Sequence, residues 1–227
     1  YPIEYLERLR FELDGTATGS PFLLTCQSGS AAGFANQVVG TSLTTGSLEN
    51  WSHYAVSLKA SGSATRVRFY VNGELNQEQS LGNSINEITG SLIANIGGLR
   101  AATTAATVGT VKEGYGKLSG SVDDFRYWKS ERSIKDIGRH WWRHFAGGTN
   151  TDLSNTNLGV YYKFNEGITG TSSVDQTMLD YSGRVSNGNW VGYPGLAARD
   201  TGSAIVSASA ALFEEEDYII YPDHPKV

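Results

Sequence analysis

WSHYAVSLKASGSATRVRFYVNGE, residues 51–74, decides the architecture. From Trp51 to Leu58 the chain alternates, with Tyr54, Val56 and Leu58 on one face. After a short Ser/Gly loop it alternates again: Val67, Phe69 and Val71 on one face, Arg66, Arg68 and Tyr70 on the other. A period of two marks strands that are buried on one side and wet on the other. Asn72-Gly73 then supplies the pair of residues that tolerate positive φ, as a tight hairpin turn requires.

The same signature recurs on either side. Strands are expected at Arg8–Leu13, Pro21–Thr25, Trp51–Leu58, Val67–Val71, Ser91–Ile96 and Gly120–Trp128. Gly, Ser, Thr and Asn fill the intervening loops, and the Ala/Thr tract Ala101–Gly109 reads as a surface loop. Residues 133–145 change period. Ser133-Ile-Lys-Asp136 resembles a capping box, and Ile134, Ile137, Trp141 and Phe145 share one helical face, with Gly147-Gly148 as the stop. Strands return at Val160–Phe164, Met178–Asp180, Asn189–Tyr193 and Tyr218–Tyr221. The expected fold is an all-β, antiparallel β-sandwich of jelly-roll type with one short helix near 133–145. Three parts follow: sandwich strands over 1–132, a helix and connector over 133–157, and further strands over 158–227. That last part is either the end of the same sandwich or the start of a following module.

Composition narrows the function classes. A net charge of −5 and a pI near 5.4 argue against nucleic acid and anionic membranes, which demand clustered Lys and Arg. No apolar run approaches the roughly 18 residues of a membrane span. The single cysteine, Cys26, cannot form an internal disulfide, so packing alone must hold the fold, and a viral or bacterial source is favoured. The chain opens on Tyr1-Pro2 and closes on Pro222-Asp-His-Pro-Lys-Val227, which reads as a piece of something longer.

A tryptophan-led strand followed by one ending Tyr-Val-Asn-Gly resembles the laminin G-like, concanavalin A-like β-sandwich. Gly120-Ser-Val-Asp-Asp-Phe-Arg-Tyr-Trp128 followed by Ser133-Ile-Lys-Asp-Ile137 is similar to the closing strand of that family and the segment after it. Leu158-Gly-Val-Tyr-Tyr-Lys-Phe-Asn-Glu-Gly167, Leu179-Asp-Tyr-Ser-Gly183 and Gly188-Asn-Trp190 look like its opening signature. The resemblance implies a domain that binds something outside a cell. Phe164-Asn-Glu-Gly167, Asp180-Tyr-Ser-Gly-Arg184, Arg199–Ile205 and Tyr221–Pro225 also resemble segments of large structural proteins of tailed bacteriophages, in tail, fibre or baseplate. This implies a virion or extracellular location and other virion or surface-protein subunits as partners.

Sandwiches of this family include β-glucanases with a Glu-x-Asp-x-x-Glu strand, whose alternation sets nucleophile and acid/base about 5–5.5 Å apart. The nearest match is Glu12-Leu-Asp14-Gly-Thr-Ala17, where Ala17 replaces the second Glu. Without it the retaining mechanism fails, so no catalytic residue is assigned and no hydrolase activity is expected. His140 and His144 have the i, i+4 spacing of a helical zinc pair, but Trp141 stands where a general base would follow. A structural role beside the Trp141/Phe145 face, or at the helix C-terminus, is the better reading.

Calcium at a rim is the one cofactor the family resemblance implies, with Asp124, Asp175 and Asp180 as candidate ligands. Asp123 and Asp124 would project to opposite faces of one strand, so only one could reach such a site. For Asp124 and Asp180 the competing role is hydrogen bonding to turn backbone. For a cell-surface glycan, stacking platforms are needed. Trp190, Tyr193 and Tyr115 are the candidates, while Trp51, Phe69 and Trp141 are expected in the core. Asn50-Trp51-Ser52 has the form of a glycosylation acceptor but leads an expected core strand, which argues against its use. Two functions remain: a non-catalytic virion module for subunit or host-surface contact, or a carbohydrate-binding appendage of a secreted bacterial enzyme or adhesin.

Overall fold

The computed structural model describes residues 8–28, 32–84, 94–98, 118–144, 157–166 and 171–190. The chain divides into two compact units that interleave in sequence: Tyr1–Ser119 with Trp128–Phe145, and Gly120–Tyr127 with Ala146–Val227. The expected strands at Ser91–Ile96 and Tyr218–Tyr221, the loop Ala101–Gly109, Phe145 and Gly147-Gly148 lie wholly or largely outside the described residues.

The first unit holds two three-stranded antiparallel sheets. One is β1 (Arg8–Leu13), β2 (Phe22–Ser28) and β3 (Ala32–Val39), in that order. The other is β4 (Tyr54–Ser61), β5 (Ala64–Val71) and β6 (Glu74–Leu81). Phe22, Leu24, Cys26, Phe34 and Val39 of the first sheet meet Val67 and Phe69 of the second in one core. The Phe22 ring lies 5.0 Å from Phe69 and 4.7 Å from Tyr54. Tyr54, Val56 and Leu58 pack against this core, as their alternation requires. Burial pushes the Cys26 thiol up to about 11, which leaves it an inert core residue. The architecture is the all-β antiparallel sandwich that the sequence pattern predicts.

Asn72 (φ 50°) and Gly73 (φ 81°) form the turn between β5 and β6, with Val71 opposite Glu74. Neither β3 nor β6 is expected from the sequence. β6, ELNQEQSL, lacks an apolar row because its amide side chains hold the neighbouring sheet. Gln77 accepts from Gly40 N at 2.6 Å, Asn76 accepts from Thr41 N at 2.7 Å, and Gln79 donates to the Val38 carbonyl at 3.2 Å. β3 is disguised by Gly33 and Asn36 at positive φ and by a register shift opposite Leu24–Cys26.

Three expectations are corrected. Trp51 is not in the core: it precedes β4 and is 58% exposed, because Tyr54 takes the place against Phe22. Asn50 is exposed beside it, so burial is no argument against that sequon. The outer face of β5 is not wet either. Tyr70 is fully buried there, and Glu131 accepts from Arg66 Nη2 at 2.9 and 3.0 Å, with Arg68 Nη1 at 3.4 Å and Lys59 Nζ at 3.5 Å.

The helix α1 runs over Ile134–His140, shorter than residues 133–145. Ser133 Oγ accepts from Asp136 N at 3.1 Å, as an N-cap does, and donates to the Asp136 carboxylate at 2.7 Å, a side-chain bond where a capping box would use the Ser133 N–H. Trp141 is the C-cap residue, and its half-buried indole packs on Gly73 and lies 5.8 Å from the His53 ring.

In the second unit β7 (Phe125–Trp128), whose last residue falls in the first unit, pairs with β8 (Leu158–Tyr162). A four-residue helix, α2 (Ser172–Asp175), leads into β9 (Thr177–Met178), which pairs antiparallel with β10 (Gly188–Asn189). β7 is shorter than Gly120–Trp128 because Asp124 sits at φ 54°, outside the strand region. Asp123 and Asp124 therefore do not alternate on one strand.

Candidate functional site

The second unit is organised by one carboxylate. Asp180 follows β9, and its Oδ1 accepts from the backbone N–H of Tyr161 and of Ser182, both at 2.9 Å. Its Oδ2 accepts from Ser182 Oγ at 2.8 Å and from Ser186 N at 2.9 Å. Asn187 Oδ1 accepts from Asp180 N at 2.9 Å. The Asp-x-Ser-Gly segment is thus an Asp-centred turn that ties β8 to the loop before β10. Burial raises the carboxyl pKa, but the N–H donors of Ser182, Tyr161 and Ser186 outweigh it and hold the group below the ordinary aspartate range. A carboxylate offers about four acceptor positions, and all four are used, so Asp180 has none to give a calcium ion.

Of the other two calcium candidates, one is ion-paired and the other is buried. Asp124 pairs with the Arg126 guanidinium, so its partner is a side chain and not turn backbone. That guanidinium stacks 5.2 Å from the centre of the Tyr161 ring, and burial together with Asp124 raises the Tyr161 phenol pKa. Asp175 is fully buried at the end of α2. Among the described residues no three His, Cys, Asp or Glu side chains converge as a metal site. His140 ends α1 and His144 lies beyond it, so the pair does not share a helical face. Desolvation, then the charges of Arg143 and Arg132, lower the His140 pKa.

Of the candidate glycan residues, Tyr115 and Tyr193 lie outside the described residues. Trp190 follows β10, donates its backbone N–H to the Gln176 carbonyl at 2.9 Å, and is 41% exposed. It ends a row of rings that the sequence does not announce. Phe125 lies 6.2 Å from Tyr162, Tyr162 lies 6.2 Å from Phe164, and Phe164 lies 6.2 Å from Trp190. The Tyr162 hydroxyl donates to the Ser186 carbonyl at 2.6 Å, which fixes its ring in the row. Phe164 is held at φ 54°, a left-handed conformation that a bulky aromatic residue rarely adopts. Such local strain persists where the surroundings demand a particular side-chain direction. The clustering of Tyr161, Tyr162 and Phe164 hints at aromatic packing, but no local signal marks the turn at Phe164.

The carboxylates of the glucanase-like stretch do not form a pair. Glu12 is on β1, buried and ion-paired with Arg10, whose Nη2 donates to Asn36 Oδ1 at 2.9 Å. β1 ends at Leu13, and Asp14 begins an exposed turn in which its Oδ1 accepts from Thr16 N at 2.9 Å and Thr16 Oγ1 at 2.7 Å. Those bonds hold the Asp14 pKa below its ordinary value.

Residues 8–138 match the laminin G family model described as the concanavalin A-like lectin/glucanases superfamily. The chain belongs to this superfamily. The match takes in both sheets of the sandwich, β7 and most of α1, and it ends before β8 and Trp190. No curated protein and no solved structure gives a significant match to the chain. The superfamily includes both lectins and glucanases, so membership establishes a fold used for binding. No helix among the described residues is long and apolar enough to cross a membrane.

Proposed function

We propose that the chain is a non-catalytic extracellular binding module, and that the aromatic row ending in Trp190 contacts a surface glycan. The observation that carries this reading is the half-exposed Trp190 ring, backed by Phe164 and Tyr162, in a chain of a lectin-containing superfamily. Apolar sugar faces stack on such rings, while neighbouring amides such as exposed Asn189 can meet hydroxyls. Against catalysis stand the ion-paired Glu12, the turn-bound Asp14 and Ala17 where a third carboxylate is needed.

The test is a glycan array probed with the whole chain and with Trp190→Ala. Binding that the substitution abolishes, with an unchanged melting temperature, supports the reading. Binding that survives it, or turnover of β-1,3 or mixed-linkage glucans, overturns it.

A second reading places the module in a tailed-phage tail, fibre or baseplate, where it contacts the host surface or neighbouring subunits. It is favoured by the Gly-rich, almost cysteine-free composition and by the segments around Phe164–Gly167 and Asp180–Arg184. Imaging of an intact particle with the chain in symmetric copies would support it. A monomeric secreted appendage would speak for a carbohydrate-binding part of a bacterial enzyme or adhesin.

A further inference from the structure

We propose that the Trp190 surface takes a neutral sugar one unit at a time, and neither an acidic glycan nor the flat face of an extended polysaccharide. This rests on the glycan reading above and adds the ligand class, which the charges and ring angles of the second unit decide.

An acidic sugar brings a carboxylate or sulfate that must keep its water or meet a cation, because an unpaired anion loses hydration without return. The described residues of the second unit hold three Lys or Arg side chains, and each is turned to another task. Arg126 pairs with Asp124 and lies over the Tyr161 ring. Lys163 stands between Tyr162 and Phe164 in sequence, but its Nζ rests 4.6 Å from the Tyr181 ring centre and 5.6 Å from that of Tyr161. Neither ring belongs to the row. Arg184 donates through Nε to the Leu158 carbonyl at 2.8 Å, at the start of β8, whereas Tyr162 ends that strand. At the rise of an extended strand the step from Leu158 to Tyr162 is roughly 13 Å. Beside the row stand amides instead: Asn189 next to Trp190 and Asn165 next to Phe164, both exposed. An amide offers donors and an acceptor, which suit sugar hydroxyls. From Val185 to Ala198 the sequence contains no Asp, Glu, Lys, Arg or His.

The ring angles limit how much of a glycan is met. Phe164 is tilted 50° from Tyr162, and Trp190 is tilted 52° from Phe164. Of the four rings in the row only Trp190 is exposed. Successive units of an extended polysaccharide stack on exposed rings that share a plane. Here one exposed ring meets one apolar sugar face.

The test is an array of matched pairs, each a neutral oligosaccharide and the same skeleton carrying sialic acid or sulfate, probed with the whole chain and with Trp190→Ala. The expected result is Trp190-dependent binding to neutral members, at least about tenfold weaker for their acidic partners. Raising the salt to about 0.5 M should not change it, since no ion pair is made. Trp190→Phe, which keeps a ring, should bind more weakly with the same preference. The free monosaccharide of the bound type should compete to within about threefold of the oligosaccharide, because one ring stacks one unit. Cellulose and chitin particles should not retain the chain. Trp190-dependent binding that favours the acidic members, or that fades with salt, would overturn the neutral ligand and leave the glycan reading standing. Retention on cellulose or chitin through Trp190 would overturn the single-unit contact alone. No Trp190-dependent binding to any glycan would overturn both the proposal and the reading beneath it.

Discussion

The indole of Trp141 closes over Gly73 so tightly that a Cβ on Gly73 would stand 2.6 Å from Trp141 Nε1 and 2.9 Å from its Cγ. Real side chains do not approach so closely. Gly73 also sits at φ 81°, where a Cβ is strained whatever the space around it. The hairpin turn that the sequence announces is thus also the seat on which the residue after α1 rests.

Gly73→Ala is expected to cost about 1–3 kcal/mol, partly as backbone strain and partly as displacement of the indole. In Trp141→Ala the second part is already absent, so the double variant should be more stable than the sum of the single losses implies. Denaturant unfolding of the four proteins measures the coupling. Strict additivity would show that the two residues do not share this contact in solution.

Phe69 and Trp51 should part company. Phe69 is fully buried between the sheets, and Phe69→Ala is expected to cost about 3–5 kcal/mol. Trp51 is mostly exposed, so Trp51→Ala should change stability by no more than about 0.5 kcal/mol. Equal losses in a thermal or urea melt would return Trp51 to the core.

That contrast shows what was legible. Alternation at Tyr54–Leu58 and Val67–Val71 carries face and register, because one side of each strand is buried and a slip would invert it. It does not say where a strand starts, and Trp51 lies just outside. Asn72-Gly73 and Ser133–Asp136 were legible because turn and cap chemistry is local. β6 was not, because its amides hold the end of β3 and the two residues after it through contacts 35 to 41 residues away. The Glu131 contact with Arg66 spans 65 residues. In the second unit Asp180 reads as a turn residue, whereas its bond to Tyr161 N depends on how β8 folds back. Trp190 reads from the sequence as a candidate platform, but the ring behind it depends on the left-handed Phe164.

Glu131 fixes the segment before α1 to the outer face of β4 and β5. Its side chain is only 15% exposed among Lys59, Arg66 and Arg68, so removal leaves three cations without their shared acceptor. Glu131→Ala is expected to lose about 1–3 kcal/mol, less than a fully buried pair because solvent still screens this one. Hydrogen exchange should quicken in residues 129–140 before it does in β4 or β5. Uniform exchange across both would mean that Glu131 supports the sandwich as a whole.

Asp180 links the second unit to pH. Its folded pKa is depressed, so its contribution is fully present above the ordinary aspartate pKa of about 3.9 and is lost as pH falls through the lower folded value. Stability of the second unit should therefore be flat through neutral pH and fall on its acid limb below about pH 4. Asp180→Asn removes acceptors for two of the four donors, because an amide NH₂ replaces one carboxylate oxygen. It should lower stability at pH 7 by about 1–3 kcal/mol and shallow that acid limb. Because all four acceptor positions serve the turn, EDTA and millimolar Ca²⁺ should both leave the melting temperature of the wild-type chain unchanged. A calcium-dependent rise abolished by Asp180→Asn would mean that the turn opens to take a metal, and the structural role assigned to this carboxylate would be wrong.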